Sequence, residues 1–302
     1  MKKGGIPLSF WRGARGEALK KLRNIYYIVL MPPEVYFHVG LERTATTFLQ
    51  TQVFPAMRGV EYVPKADFRH AAERITHTQA AKVLVSHEFD SGLERAAKDF
   101  TEQFPDAHPI IAFRRQDSWI VSQYKRHIKK GHRTRFRDFI DLENDRGYYK
   151  KSSLHYTEKL RLLERYFRPE PLVLLFEDLK DRPEDFVQQI ADYVGCTYAP
   201  DQLNLNARHV SYADKQLKAL WEVGKVIPLR PEPENYGAKW PFEMLRLLGK
   251  GVRYTTLSIA EQLPKRWLPE GEFVSETEVE RIRAYFQKDW RQVQQYAKSQ
   301  SH

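Results

Sequence analysis

Short apolar runs alternate with amphipathic stretches between residues 34 and 200, and this pattern predicts strands that alternate with helices. Because the runs are continuously apolar, we expect both faces of each strand to be covered. Alternating strands and helices predict an α/β fold, a three-layer sandwich around a central parallel sheet. The predicted strands are Val35–Val39, Lys82–Ser86, Pro109–Phe113 and Pro171–Phe176, and the predicted helices run to about Met57 and over Leu93–Phe104, Asp117–Lys130 and Pro183–Val194.

Beyond Pro200 the strand pattern stops and helical patterns continue. Two helices are predicted there, over Asp214–Val226 and Glu276–Lys298, the second with Ser275 as its N-cap. A proline-rich connector, Pro228–Pro233, and an apolar, basic stretch, Trp240–Trp267, lie between them. We expect one α/β domain over residues 34–302 with a helical C-terminal part from about 200, preceded by a basic segment, residues 1–33.

The composition is that of a folded protein. The chain has 302 residues, of which 42% are hydrophobic and 13% aromatic, so it is long and apolar enough to bury a core. We find no apolar run of membrane-spanning length and no signal-peptide pattern. The single cysteine, Cys196, excludes a disulfide framework and is expected to be a buried small residue. These features predict a cytoplasmic protein.

The charge is strongly basic, with 49 Lys and Arg against 39 Asp and Glu, a net charge of +10. Such a surplus favours an anionic partner, which can be nucleic acid, a membrane surface or a phosphorylated ligand. Basic and apolar residues also interleave over residues 1–24, as in a helix that lies on a membrane, although a loosely docked leader fits equally well.

A hydroxyl-rich loop follows the first predicted strand. It reads Gly-Leu-Glu-Arg-Thr-Ala-Thr-Thr and supplies the candidate phosphate-binding residues Gly40, Arg43, Thr44, Ala45, Thr46 and Thr47. Backbone N–H groups at a helix start attract phosphate, and hydroxyls add donors. A Walker A loop would have glycine and lysine where Ala45 and Thr46 stand, which argues against kinase chemistry. Alanine at position 45 also predicts a backbone without positive φ there.

This loop resembles the 5′-phosphosulfate loop of the sulfotransferases that use 3′-phosphoadenosine 5′-phosphosulfate (PAPS). In that family a glycine and two further residues precede Lys-Thr/Ser-Gly-Thr-Thr, so Arg43 and Ala45 depart from the pattern. The resemblance implies a P-loop NTPase-like fold and a loop that holds the 5′-phosphate of PAPS without a metal. It also implies that Arg43 contacts the oxygen of the leaving phosphate.

A second motif of the same family follows the third predicted strand. Arg114 ends that strand, and Ser122 stands eight residues later in Ser-Gln-Tyr, as in the family's 3′-phosphate motif. A guanidinium and a hydroxyl suit a tightly held phosphate dianion. The resemblance implies that both residues bind the 3′-phosphate of PAPS. Further basic residues extend this positive surface: Arg115, Lys125, Arg126, Lys129 and Lys130.

The second predicted strand ends in Ser86-His87-Glu88, at the sheet edge where α/β folds bind ligands. An acceptor hydroxyl or amine needs a general base, which His or Glu supplies. The Ser-x-Glu pattern resembles bacterial sulfotransferases and favours Glu88, whereas the small-molecule branch of the family favours His87. Successive strand residues face opposite ways, so one of the two is expected to face the acceptor. His38 is a third candidate, with a buried core role as the alternative.

A third stretch, Leu172–Cys196, is similar to a structural segment of the family. Glu177 and Asp178 are expected to cap or pair ions, and Pro183 to open the following helix. Two later residues are candidates for a cofactor or substrate contact: Asn206 and Arg208.

The resemblance implies an enzyme that moves a sulfuryl group from PAPS to a hydroxyl or amine, on a carbohydrate or glycolipid acceptor, and leaves adenosine 3′,5′-bisphosphate (PAP). No metal and no nucleic-acid partner are expected. Two alternatives stay open: a nucleotide kinase or other P-loop NTPase, and a non-catalytic basic module that binds nucleic acid or membrane. The stretch Trp240–Trp267 is interpreted either as a peripheral contact with the inner membrane surface or as an ordinary core helix.

Overall fold

The computed structural model describes residues 32–89, 91–204, 213–227, 229–231, 239–268 and 272–300. Within these ranges the strands are β1 (Glu34–Gly40), β2 (Met57–Arg58), β3 (Glu61–Val63), β4 (Lys82–Ser86), β5 (His108–Phe113), β6 (Leu172–Leu175) and β7 (Thr197–Tyr198). Five of them form a sheet in the order β3-β4-β1-β5-β6. Every pairing in this sheet is parallel, which confirms the predicted parallel sheet. Strands β2 and β7 form a small antiparallel pair beside it.

Helices connect and cover the strands. The helical run that we label α1 covers residues 46–56 and consists of two α turns, Thr46–Phe48 and Phe54–Ala56, on either side of a π turn, Leu49–Val53. The other helices are α2 (Ala71–His77), α3 (Leu93–Gln103), α4 (Gln116–Lys129), α5 (Phe136–Phe139), α6 (Tyr156–Tyr166), α7 (Phe176–Asp181), α8 (Pro183–Val194), α9 (Asp214–Val226), α10 (Lys239–Ile259) and α11 (Glu276–Ser299). Short 3₁₀ turns lie at Lys65–His70, Lys151–Leu154, Pro200–Gln202 and Lys265–Trp267.

The alternation of side chains along each strand divides the core into two layers. In β1, Val35, Phe37 and Val39 pack against α2, α3, α6 and α11 on one face of the sheet. Tyr36 points to the other face, where α1 and α8 pack. The predicted three-layer α/β sandwich is confirmed.

The helices after residue 200 pack on this core. Trp290 and Val293 of α11 belong to the same apolar cluster as β1 and β5, and Ile282 packs with Trp119 of α4. Ser275 caps α11 as predicted, since its side chain accepts a hydrogen bond from the backbone N–H of Glu278. The division into a basic segment and one domain stays a prediction.

The sequence pattern missed the edge strand β3 and the helices α2 and α6. In β3, Glu61 and Tyr62 are half-buried and only Val63 is buried, so this strand has no continuous apolar run. Residues 1–31, Asn206, Arg208 and half of the connector Pro228–Pro233 (positions 228, 232 and 233) lie outside the described residues.

Candidate active site

The crevice at the carboxyl ends of β1 and β4 is formed by the directions in which the chain leaves them. After β1 the chain enters α1 on one face of the sheet, and after β4 it enters α3 on the opposite face. Helices that leave neighbouring strands on opposite faces open the cleft in which α/β proteins bind ligands. The hydroxyl-rich loop and Glu88 both lie at this position.

The loop between β1 and α1 has an unusual backbone. Arg43 and Ala45 are in the left-handed region, with φ of 65° and 70°. The expectation that position 45 has no positive φ was wrong, and alanine costs roughly 1–2 kcal/mol in this conformation. The Thr44 hydroxyl donates a 2.6 Å hydrogen bond to the carbonyl of Leu41 and closes the turn. The loop thus adopts the left-handed conformation at two positions, neither of which is glycine.

Gly40 lets the chain after β4 approach this loop. Its φ is 113°, and a Cβ there would lie 3.3 Å from the Cα of Glu88. The parallel pairing of β1 and β4 also extends beyond the strands, because the N–H groups of His87 and Phe89 donate to the carbonyls of His38 and Val39 at 2.9 and 3.0 Å. Glu88 is therefore fixed beside the start of the loop.

The cations of the two sequence motifs meet in one place. The Nε of Arg43 donates a 2.9 Å hydrogen bond to Ser122 Oγ on α4. The Nε of Arg114 donates to Ser118 Oγ at 2.9 Å, and its guanidinium lies 4.5 Å from the ring centre of Phe176.

Burial lowers the pKa of both Arg43 and Arg114. For Arg114 the nearby Glu177 carboxylate opposes this shift, and the charge of Arg43 adds to it. Two guanidinium groups that are partly desolvated and repel each other form a site that an anion would neutralise.

Glu88 belongs to the same site. It forms an ion pair with Lys65, from the 3₁₀ turn after β3. Burial raises the pKa of Glu88, but hydrogen bonds from Lys65 and from Thr46 outweigh burial, and the net pKa is below the ordinary value of 4.5. The carboxylate is therefore ionised at neutral pH and is tied to the first residue of α1.

His87 points away from the loop. Its ring lies 4.4 Å from the rings of both Phe68 and Phe89, which pack on the α3 side of the sheet. Burial lowers the pKa of His87. Of the two neighbours at the end of β4, Glu88 contacts the loop and His87 packs among aromatic rings.

His38 is fully buried within the sheet. Its Nδ1 is 2.8 Å from Ser86 Oγ, and Gln50 donates to the same hydroxyl at 3.0 Å. Burial lowers the pKa of His38 to about 4, so the ring is neutral. These contacts correspond to the core role considered for His38.

Residues 33–225 match the family model of the sulfotransferase domain, which is more than half of the chain. The chain belongs to the sulfotransferase domain family. No curated protein sequence matches it. Among solved structures, a sulfotransferase from Alicyclobacillus acidocaldarius is similar, with a TM-score of 0.46 and 16% sequence identity over 64% of this chain and 93% of that chain.

In the present chain, carboxylates largely balance the wider positive surface that the sequence predicts on α4. Arg115 pairs with Asp117 at 2.7 Å, and Lys125 pairs with Asp214 at 2.7 Å. Arg126 pairs with Glu42 of the loop. These pairs leave α4 with less positive charge for a ligand than its sequence suggests.

Several residues that shape the site were missed from the sequence. Lys65 follows β3, whose pattern was too weak to predict a strand. Ser118 stands four residues after Arg114, and this spacing in the sequence could have indicated the contact between them. Trp119 Nε1 donates to the carbonyl of Glu42 at 2.7 Å and holds the loop against α4.

The third stretch behaves largely as expected. Glu177 accepts a 3.1 Å hydrogen bond from the backbone N–H of Arg115, and Arg182 donates to Asp178 at 3.2 Å. Pro183 begins α8. Cys196 is half-buried rather than buried.

The described residues contain no group of three or more His, Cys, Asp or Glu arranged to hold a metal ion. None of the helices they form is long and apolar enough to cross a bilayer. The absence of a metal requirement and the cytoplasmic location stay predictions.

Proposed function

We propose that this sulfotransferase moves a sulfuryl group from PAPS to a hydroxyl or amine of a carbohydrate or glycolipid. The observation that carries the proposal is the hydrogen bond from Arg43 to Ser122, which joins the two motifs beside Arg114. PAPS has phosphate groups at the 5′ and 3′ positions of one ribose. A site with one guanidinium from each motif matches that charge pattern.

The loop residues are assigned to the 5′-phosphate. Backbone N–H groups at the start of α1, together with Thr46 and Thr47, would hold its oxygens, while the Thr44 hydroxyl already donates to the carbonyl of Leu41 and stabilises the turn. Arg43 would stabilise the charge that develops on the leaving phosphate oxygen.

Arg114 and Ser122 are assigned to the 3′-phosphate and so to the position of the nucleotide. Ser118 supports Arg114, because it accepts the hydrogen bond from Nε and leaves the terminal nitrogens for an anion. Phe176 orients the same guanidinium by stacking.

Glu88 is assigned as the general base. In the transfer, the acceptor oxygen or nitrogen forms its bond to sulfur as the bond from sulfur to the 5′-phosphate oxygen breaks. The acceptor proton passes to the Glu88 carboxylate, and PAP leaves. Lys65 keeps Glu88 ionised and so ready to accept this proton.

The family match favours this proposal over a nucleotide kinase, as do Ala45 and Thr46 at the Walker A glycine and lysine positions. The carboxylate partners of Arg115, Lys125 and Arg126 disfavour a non-catalytic polyanion-binding module. The acceptor class rests on the resemblance of Ser86-x-Glu88 to bacterial members of the family.

The proposal is tested by a transfer assay. The protein is incubated with PAPS labelled with radioactive sulfur and with glycans, glycolipids and simple phenols as acceptors. We expect label in the glycan or glycolipid fraction, with loss of transfer in Arg43→Met and Arg114→Met. The control is Arg95→Met, on the exposed side of α3. Transfer of phosphate from ATP, without transfer from PAPS, would contradict the proposal.

A further inference from the structure

Large apolar side chains are exposed in one part of the molecule. Of the eleven large hydrophobic side chains that the described residues expose, seven lie between residues 240 and 267. Trp240 is 70% exposed and Leu247 63%. The set is Trp240, Met244, Leu247, Leu248, Tyr254, Ile259 and Trp267. Such a concentration marks an interaction surface, since single exposed apolar residues are normally scattered.

These residues form a stripe on α10. Met244, Leu247, Leu248 and Tyr254 recur at the spacing of one helix face. The opposite face is already used, because Leu257 packs with Leu220 of α9 and with Leu229. We call the outward residues of α10, together with Trp267, the apolar stripe. It remains exposed after α10 has docked on the protein.

Basic residues flank the apolar stripe. Lys250 is exposed beside it, one helical turn from Leu247 and from Tyr254, and Arg266 is exposed next to Trp267. The acidic residue within α10, Glu243, is paired with Arg246 at 2.7 Å. The surface therefore combines apolar side chains with a positive border.

We infer that the apolar stripe docks this protein on an anionic lipid bilayer. A helix with Trp and Leu on one face and Lys or Arg beside it lies in the plane of the membrane interface. Tryptophan prefers that interface, and Trp240 and Trp267 mark the two ends of the stripe. Each basic residue near an anionic bilayer adds about 1 kcal/mol of attraction.

A second copy of the chain fits this surface less well. In a symmetric pair the same patch meets itself, so Lys250, near the middle of α10, would approach its own copy with like charge. A bilayer of anionic lipid instead offers charge of the opposite sign. The charge of the border thus favours lipid as the occupant.

The test is flotation of the full chain with vesicles and needs no nucleotide, so it is independent of the proposed sulfuryl transfer. We expect the protein to float with phosphatidylcholine vesicles that contain phosphatidylglycerol, and much less with pure phosphatidylcholine. Leu247→Ser with Leu248→Ser should lower the bound fraction by about tenfold or more, because the variant loses two leucine side chains that would insert into the bilayer. Lys250→Gln with Arg266→Gln should weaken binding and its salt dependence.

The control pair is Tyr148→Ser with Tyr285→Ser, two exposed aromatic residues on other elements, which should bind like the wild type. Melting temperatures verify that all variants fold. Wild-type protein that stays with the unbound fraction would overturn the inference. Unchanged flotation of the leucine variant would overturn it too and move attention to residues 1–24. A third result would also overturn the inference. In it, the wild type is a dimer, the leucine variant is a monomer, and neither protein binds vesicles.

Discussion

Ala45 has a backbone conformation that alanine rarely adopts, with φ of 70°. Glycine would remove this strain but would also add entropy to the unfolded chain. We predict that Ala45→Gly is neutral or stabilises the fold by up to about 1 kcal/mol. The matched control is Ala96→Gly within α3, which should cost about 1 kcal/mol because glycine disfavours helix. Urea unfolding measures both, and equal losses of stability would contradict the account.

The assignment of Glu88, and not His87, as the base predicts different effects of substituting the two residues. Glu88→Gln should lower kcat by roughly 10²–10⁴, because the site loses its proton acceptor. His87→Phe keeps the packing on Phe68 and Phe89 and should change kcat by less than about tenfold. Steady-state kinetics with PAPS measure both. A large loss in His87→Phe and a small one in Glu88→Gln would reverse the assignment.

In the proposed mechanism, Lys65 sets the pH dependence of Glu88 as the base. Glu88 must be ionised to accept a proton, so activity falls as the pH drops through its pKa. Because that pKa lies below 4.5 in the free protein, we predict an acid limb of kcat/KM below pH 4.5. In Lys65→Met the effect of burial is no longer offset by the ion pair, and the limb should move to higher pH. An unmoved limb would show that another group limits the rate.

His38 contributes a pH dependence to stability. Its pKa is about 4 in the fold against 6.5 for the ordinary side chain. Between these values the unfolded chain binds a proton that the folded chain does not, so stability falls with decreasing pH by at most about 1.4 kcal/mol per pH unit. His38→Gln should reduce this slope, with His77→Gln on α2 as the control. Equal slopes in wild type and His38→Gln would contradict the buried, neutral ring.

At the residue scale the sequence predicts residue types better than contacts. Arg114 and Ser122 were chosen by spacing, and the structure brings them into one site through Arg43. The pairing of Lys65 with Glu88 joins residues far apart in sequence and leaves no periodic signal. The φ of Ala45 was predicted wrongly because local propensity was taken to outweigh the demands of the loop.

At the element scale, α4 positions the phosphate loop from outside. Arg126 pairs with Glu42, and Trp119 donates to the carbonyl of the same residue. Arg126→Gln should release this contact, which is worth about 1 kcal/mol, and weaken binding of PAP by about three- to tenfold. Lys125→Gln is the matched control, since Lys125 pairs with Asp214 of α9 instead. Calorimetry measures the affinity of both variants for PAP. Equal affinities of Arg126→Gln and Lys125→Gln would show that α4 does not position the loop.

The elements that the sequence predicted well are those buried on both sides. β1, β4, β5 and β6 have continuous apolar runs, and their parallel pairing follows from the alternation with helices. The sequence did not predict β3, because this edge strand is partly exposed and contains both polar and apolar side chains. The parallel architecture was thus predictable from the pattern, whereas the number of strands was not.

At the scale of the whole molecule, the net charge of +10 is an imperfect guide to the site. Arg115, Lys125 and Arg126 form ion pairs that the sequence does not reveal, because their partners lie in other elements. Arg43 and Arg114 instead donate to the hydroxyl groups of Ser122 and Ser118, and the Glu177 carboxylate offsets part of the effect of burial on Arg114. In the proposed function, recognition of an anion is therefore concentrated at the crevice rather than spread along α4.

The central claim is that this crevice recognises a nucleotide by its 3′-phosphate. The most direct measurement is calorimetric binding of PAP and of AMP, which lacks that phosphate, to wild type, Arg114→Met and the Arg95→Met control. We predict that wild type and Arg95→Met prefer PAP by at least about tenfold, since charge-assisted hydrogen bonds are worth roughly 1.5–3 kcal/mol. Arg114→Met should bind the two nucleotides alike. Equal binding of PAP and AMP by the wild type, or an undiminished preference in Arg114→Met, would contradict the account.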